Sequence, residues 1–189
     1  MPSKTEVEFW LERWNNLPNY VAQESSLEKL FQRTYPLNED LNDVLIKVCS
    51  LNDFYSTNIF SPYSVAKHIV NLKIDAKLQN GNLEVVNEIA KIKMANKNFR
   101  NFYSFATKYC SHHKPEIYPI YDYFVGKVLV YFKQIDNFYD FSEKDFKIYP
   151  RYKEILINFR KYYDLVSFDL KQIDKYLWQI GKDAFPRSY

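Results

Sequence analysis

Apolar residues recur at helical spacing along almost the whole chain, and the stretches that carry them start at capping signals. Ser3 and Glu6 form the capping-box pattern ahead of the first apolar stripe. Asp169 and Gln172 repeat that pattern ahead of the last stripe, where Gly181 is expected to end the helix. Because side chains three and four positions apart share one face of a helix, the pattern predicts an all-α fold.

Further start and stop signals divide the middle of the chain. Asn38 is expected to open a long helix, and Ser61–Pro62 is a cap followed by a proline in the first helical turn. Asn80–Gly81 is the clearest turn, and the apolar positions of 83–93 predict another amphipathic helix after it. The segment 136–146 is expected to be a connection with at most one helical turn. No long strand is expected, and the helices number eight or nine.

Length and composition favour a single domain. The chain has 189 residues, 47% of them hydrophobic, and contains only three glycines. A chain of this size can bury one hydrophobic core, so we expect one domain that covers 1–189. We expect an N-terminal helical annex, 1–36, followed by a core, 38–181, with two helical lobes and the segment 101–132 between them.

Several classes of protein are disfavoured by charge and by missing motifs. The net charge of +3 gives no strongly basic surface overall, although a local patch is enough to bind phosphates. No signal peptide or 18-residue apolar run is found, so a cytoplasmic protein without a membrane partner is expected. Cys49 and Cys110 lack zinc or redox spacing and are expected to be buried thiols. His112 and His113 are adjacent and cannot form a metal-binding pair, so neither a metal nor a cofactor is expected.

The clearest functional signal lies in a central stretch. A basic, aromatic helix is expected over 101–112, and Pro115 and Pro119 then interrupt regular structure because proline lacks an N–H donor. Apolar residues from Phe124 onward predict the next helix. Asp122 is therefore its expected N-cap, with the carboxylate facing the first free backbone N–H groups.

This stretch resembles the centre of the helix-hairpin-helix DNA glycosylase superfamily, in which a Pro-x-x-Asp loop opens a helix. The matching residues are Pro119, Ile120, Asp122 and Val125. Ser104 lies 18 residues before Asp122, at the position of the nucleophilic lysine in bifunctional members and of a serine in some monofunctional members. The patch Leu45–Asn52 is similar to an early helix of the same family.

The resemblance implies a role for each matched position. Asp122 is implied to be the catalytic carboxylate, which stabilises a cation-like sugar while the N-glycosidic bond breaks. Ser104 in place of lysine implies that no Schiff base forms, so the hydrolase would be monofunctional. Asn52 stands where the family places an amide that fills the gap left by a flipped base. The implied base pocket contains the tyrosines around Asp122: Tyr118, Tyr121 and Tyr123.

The phosphate-binding hairpin of the family is normally Gly-Val-Gly, whereas this chain has Asn101–Tyr103 there. Side chains would then replace the glycine amides that approach a phosphate. The expected contacts to double-stranded DNA or another nucleic acid are Lys97, Arg100, Asn101 and Lys108. Lys108 also lies one helical turn after Ser104, on the same face, where it could supply the missing amine. The iron–sulfur cysteines of some members are absent.

Purely structural roles could also explain Asp122 and Ser104. Asp122 could be an N-cap alone, which contributes about 1 kcal/mol, and Ser104 could be a packed helix residue. The leading hypothesis is a DNA-glycosylase-like protein that presents Asp122 to an extruded nucleotide. The alternative is a non-catalytic module on the same scaffold that binds nucleic acid or protein.

Overall fold

The computed structural model describes residues 1–93 and 98–186, and these are mostly helical. They contain ten α-helices and a single sheet of two short strands, which confirms the helical prediction but exceeds the expected eight or nine helices. The chain divides into two compact units. Unit 1 comprises Met1–Pro18 and Pro119–Tyr189, and unit 2 comprises Asn19–Tyr118. The division into an annex, 1–36, and a core, 38–181, stays a prediction.

Unit 2 is built of helices and one β-hairpin. Helix α2 (Pro18–Glu28) continues directly into a π-helical turn (Lys29–Thr34). The remaining elements are α3 (Leu41–Tyr55), α4 (Pro62–Leu72), α5 (Asp75–Gln79), α6 (Val85–Ala90), β1 (Lys91–Lys93), β2 (Phe99–Asn101) and α7 (Tyr103–His113). Helix α4 begins at Pro62 as expected, and the predicted turn is present, with Gly81 at a φ of 68°.

The start of α3 differs from the expected one. Asp40, rather than Asn38, is the N-cap, and its Oδ1 accepts hydrogen bonds from the backbone N–H groups of Asn42 (2.8 Å) and Asp43 (3.0 Å). Asn38 is instead buried. The core of unit 2 lies between α3, α4, α6 and α7 and includes Phe31, Val44, Val48, Leu51, Val65, Ile69, Val86, Ile89, Phe105 and Tyr109.

Unit 1 contains α1 (Lys4–Asn15), α8 (Tyr123–Asp136), a 3₁₀-helix (Glu143–Lys147), α9 (Tyr149–Tyr162) and α10 (Leu170–Ala184). The expected caps are confirmed at both ends of the chain. Ser3 Oγ accepts from the Glu6 N–H at 3.2 Å, and Asp169 and Gln172 form a reciprocal capping box. The core of this unit includes Val7, Val125, Leu129, Ile155, Phe159, Ile173, Tyr176 and Leu177.

Gly181 does not end the last helix, because α10 continues to Ala184. Its role is in packing. A Cβ atom at Gly181 would lie 2.7 Å from the carbonyl oxygen of Phe124 and 2.8 Å from its Cβ. The absent side chain therefore lets α10 lie directly against the first turn of α8, which Asp122 caps.

The two cysteines differ from each other. Cys110 is buried as expected, but Cys49 is exposed, since the inner face of α3 is formed by its neighbours Val48 and Leu51. In the part of the chain that the structure describes, no helix combines the length and apolar character needed to cross a membrane.

Candidate nucleic-acid interface

A β-hairpin lies where the sequence pattern predicted the end of a helix. Helix α6 stops at Ala90, and Lys91 takes an extended conformation (φ −90°, ψ 97°). Strands β1 and β2 are antiparallel and pair Lys91 with Asn101, Ile92 with Arg100 and Lys93 with Phe99. The prediction of a helix over 83–93 is therefore wrong for its last three residues. The alternation of exposed Lys91, buried Ile92 and exposed Lys93 is the pattern of a half-buried strand.

The hairpin concentrates positive charge. The segment 91–101 contains four cations, Lys91, Lys93, Lys97 and Arg100, and no acidic residue. Lys91, Lys93 and Arg100 are exposed and take part in no salt bridge with another described residue. Since the whole chain has a net charge of only +3, this segment is a local cationic patch.

The residues expected to contact the nucleic-acid backbone lie in different environments. Arg100 and Asn101 are exposed on β2, as a phosphate contact requires. Lys97 lies outside the described residues. Lys108 is only 4% exposed, so its ammonium group is not displayed on the surface. Its Nζ donates to Ser104 Oγ at 2.7 Å and lies 5.2 Å from the centre of the Tyr55 ring.

Ser104 and Lys108 thus form the pair that their helical spacing predicted. The hydroxyl accepts from the ammonium, while the backbone carbonyl of Ser104 accepts from Thr107 Oγ1 at 2.9 Å. A serine beside a lysine can act as a nucleophile when the amine is neutral, and it is a packed polar pair when the amine is charged. Ser104 belongs to unit 2, whereas Asp122 belongs to unit 1.

Asp122 is the N-cap of α8, as the sequence predicted. Its Oδ1 accepts from the Phe124 N–H at 2.9 Å, and the residue is partly buried. Two hydroxyl groups of α9 fix the preceding loop, since Tyr149 Oη donates to the Pro119 carbonyl at 2.8 Å and Tyr152 Oη donates to the Ile120 carbonyl at 2.5 Å. The loop before Asp122 is therefore fixed by α9, and the carboxylate itself is bonded to the first turn of α8.

The three tyrosines of the expected base pocket are not equivalent. Tyr118 is fully buried, and its hydroxyl donates to the carbonyl of Asn82 at 3.1 Å, so its ring offers no surface to a base in this structure. Tyr121 is partly buried, with Lys147 Nζ 4.3 Å from its ring centre. Tyr123 is 43% exposed and carries Lys127 Nζ at 5.7 Å. Within unit 1, each tyrosine next to Asp122 therefore has a cation over its ring.

Asn52 uses its amide inside its own turn. Its Oδ1 accepts from the Ile59 N–H at 2.9 Å and from Thr57 Oγ1 at 2.8 Å, and its Nδ2 donates to the Ile59 carbonyl at 3.2 Å. These bonds hold the connection between α3 and α4. The predicted role in filling the gap of a flipped base would require this turn to open.

The sequence patterns did not predict a polar cluster in unit 2, which we call the Lys47 cluster: buried Asn38, Lys47 and Tyr109 with partly buried Asp75 and His113. Lys47 is fully buried, and its ammonium donates to Asn38 Oδ1 (2.7 Å) and to the carbonyls of Leu37 (2.8 Å) and Tyr35 (3.0 Å). The available signal was a lysine at helical spacing within an apolar stripe, between Val44 and Leu51.

Asn38 links the other members of the Lys47 cluster. Its Oδ1 also accepts from Tyr109 Oη at 2.6 Å and lies 3.1 Å from His113 Nε2. Its backbone N–H and Nδ2 donate to the two carboxylate oxygens of Asp75, at 2.9 and 2.6 Å. The buried ammonium of Lys47 and the partly buried carboxylate of Asp75 are thus connected through one amide, which reduces the cost of burying the ammonium.

Burial shifts the pKa values of this cluster. Desolvation lowers the pKa of Lys47 to about 8, although Asp75 and Asp43 act in the opposite direction. Desolvation, together with the charge of Lys47, lowers the pKa of His113 well below its usual value, so its ring is neutral at pH 7. Desolvation also raises the pKa of Tyr109.

Metal-binding groups do not assemble in the residues that the structure describes, where no three His, Cys, Asp or Glu side chains are placed to hold an ion. His112 is buried and pairs through Nε2 with Tyr55 Oη at 3.0 Å, while its carbonyl accepts from Gln32 at 3.2 Å. Both contacts hold the end of α7 in place within unit 2.

Comparison with known proteins gives two matches. The family described as HI_0787_N, N-terminal domain, matches residues 6–117, which is more than half of the chain. An uncharacterized protein of Haemophilus influenzae is 46% identical over 149 residues, which cover 78% of this chain and 71% of the relative. No solved structure matches.

Proposed function

The chain belongs to the HI_0787_N family, and we propose from its own residues that it binds nucleic acid through the β1–β2 hairpin and acts as a DNA-glycosylase-like hydrolase. The observation that supports the proposal most is the concentration of exposed cations on this hairpin. Phosphates are bound chiefly by such cations, because each contact releases a condensed counterion. A two-stranded ribbon is also narrow enough to enter the major groove of double-stranded DNA.

The proposed fold is the helix-hairpin-helix glycosylase type, and the order of elements supports it. Helix α7 is followed by a proline-interrupted loop and then by α8, with Asp122 at the junction. The β1–β2 hairpin immediately precedes α7, where the glycosylase superfamily has its glycine hairpin. Exposed side chains of Arg100 and Asn101 would then contact phosphate where glycine amides do so in the glycosylase superfamily.

Asp122 is the proposed catalytic carboxylate. Together with Pro119, Ile120 and Val125, it matches the motif of the glycosylase superfamily. The bonds from Tyr149 and Tyr152 hold the loop before it. A carboxylate fixed in advance stabilises positive charge on a sugar without reorganising during the reaction. Because Ser104 stands at the position of the nucleophilic lysine, water would attack the sugar, and no covalent adduct with the enzyme would form.

A non-catalytic module on the same scaffold is the second candidate, and two observations favour it. The Asp122 carboxylate already has a structural use as the cap of α8. A cap contributes about 1 kcal/mol and needs no chemistry. The buried ring of Tyr118 is also consistent with a scaffold that binds nucleic acid or protein without extruding a base.

Salt dependence tests the binding half of the proposal. Affinity for a duplex, measured by fluorescence anisotropy between 50 and 200 mM salt, is expected to give a log–log slope of about −2 to −4. Lys91→Gln, Lys93→Gln and Arg100→Gln should each make the slope shallower by roughly one. Lys161→Gln, an exposed lysine of α9 in unit 1, is the matched control and should leave the slope unchanged. Failure to bind either a duplex or a single strand at low salt would refute nucleic-acid binding.

Base release from a panel of lesion duplexes tests the chemical half. Asp122→Asn should abolish release while leaving the fold intact, since asparagine caps a helix nearly as well as aspartate. Binding without release from any duplex would instead favour the non-catalytic module. A borohydride-trapped adduct would contradict the proposal that the hydrolase is monofunctional.

A further inference from the structure

We propose that the β1–β2 hairpin selects unpaired nucleic acid, with the ring of Phe99 stacking on an exposed base while Lys93 contacts a neighbouring phosphate. This inference rests on the proposed function, because it names the form of nucleic acid that the same hairpin prefers. It concerns the hairpin alone and is independent of the role of Asp122.

The register of the hairpin places cations and one aromatic ring on a single face. Lys93 pairs directly with Phe99, and Lys91 pairs directly with Asn101. Directly opposed residues of an antiparallel pair project from the same side, and alternate residues of a strand share that side. Lys91, Lys93, Phe99 and Asn101 therefore lie on one face, and all four are exposed.

On the opposite face, Ile92 anchors the hairpin to unit 2, while its pairing partner Arg100 stays exposed. Ile92 is only 1% exposed, and the Phe102 N–H donates to the Ala90 carbonyl at 2.9 Å, which continues the strand pairing to the ends of α6 and α7. The face that carries Phe99 is consequently directed away from the core. An aromatic residue that is 73% exposed contributes little to packing in this position.

The chemistry of this face matches a single strand better than a duplex. A duplex presents phosphates and base edges, while its base faces are stacked and closed to a side chain. An unpaired strand presents base faces next to its phosphates, and proteins that bind single strands combine a cationic track with aromatic rings. Phe99 directly opposite Lys93 supplies one group of each kind.

Anisotropy titrations of the full chain with fluorescein-labelled oligothymidylate and with a duplex of equal length test the inference. The single strand should bind more tightly than the duplex. Phe99→Leu, which keeps an apolar side chain but removes the ring, should weaken single-strand binding by about tenfold to a hundredfold. Duplex affinity should change by less than about twofold, because base edges and phosphates need no stacking partner. Phe99→Trp should restore single-strand affinity.

Phe9→Leu is the matched control, since Phe9 is 58% exposed on α1 and lies outside the hairpin. Equal loss of single-strand and duplex binding in Phe99→Leu, or no loss in either, would overturn the inference while leaving the salt dependence of duplex binding to support the proposed function. Competition by polyglutamate that is as strong as competition by oligothymidylate would identify a general polyanion site and would also overturn it. If neither nucleic acid binds at low salt, both proposals fail.

Discussion

Unit 2 contains lysines in two opposite situations, in the Lys47 cluster and on the β1–β2 hairpin. The Lys47 ammonium has no contact with solvent and donates to three oxygens, one from a side chain and two from the backbone. Lys91 and Lys93 are exposed, and neither forms a salt bridge with a described residue. A charge whose partners are all internal serves the fold, whereas a charge displayed without a partner is available to a ligand.

The largest effect is expected from removing the buried charge. Lys47→Met keeps most of the side-chain volume but removes the ammonium that donates to the carbonyls of Tyr35 and Leu37 and to Asn38 Oδ1, which would keep its bond from Tyr109 Oη. Because unpaired buried polar groups lose the full benefit of solvation, the free energy of unfolding should fall by about 3–5 kcal/mol. Urea denaturation measures this change. Lys67→Met, at an exposed position of α4, is the control and should stay within about 0.5 kcal/mol of the wild type. A loss below about 1 kcal/mol in Lys47→Met would mean that the cluster is dispensable.

The lowered pKa of Lys47 predicts a dependence of stability on pH. Well below pH 8 the amine is protonated in both the folded and the unfolded chain, so its contribution is constant. As the pH rises above about 8, the folded chain releases this proton before the unfolded chain does, so the free energy of unfolding rises. Between pH 7 and 9 the expected gain is roughly 1 kcal/mol.

Comparison with Lys47→Met isolates this gain from other titrations. Desolvation also lowers the pKa of Lys153, and several tyrosines have raised pKa values, but these groups are present in both proteins. The difference in unfolding free energy between wild type and variant should therefore grow with pH over this range. A difference that is constant would show that the amine keeps its ordinary pKa in the fold, and one that shrinks would also contradict a lowered pKa.

Features set by neighbouring residues could be predicted from the sequence, and features set by distant ones could not. The caps at Ser3, Asp122 and Asp169 were predicted because a capping side chain bonds backbone groups two or three residues away. The Lys47 cluster joins Asn38 to Asp75 and Tyr109, which lie 37 and 71 residues further along the chain. No local pattern encodes such contacts.

The hairpin and Gly181 show two further limits of prediction from local sequence patterns. In the segment 83–93 the apolar positions fit helical spacing up to Ala90, and the three residues that follow are too few for a strand period to stand out. Gly181 was expected to end α10 because glycine commonly follows a helix. The structure shows instead that another helix, α8, lies against it, which is information about packing rather than about local conformation.

The smallest effect on stability is expected on the hairpin, and this completes the contrast with Lys47. Lys91→Gln and Lys93→Gln remove exposed charges that form no salt bridge with the described residues, so each should change the free energy of unfolding by less than about 0.5 kcal/mol. The double variant is expected to be equally stable or slightly more stable, because both lysines project from the same face and repel each other weakly. Urea denaturation at low ionic strength, where this repulsion is least screened, is the appropriate measurement. A loss of more than about 1 kcal/mol in the double variant would show that these lysines support the fold. They would then resemble Lys47, and their effect on DNA binding could no longer be separated from folding.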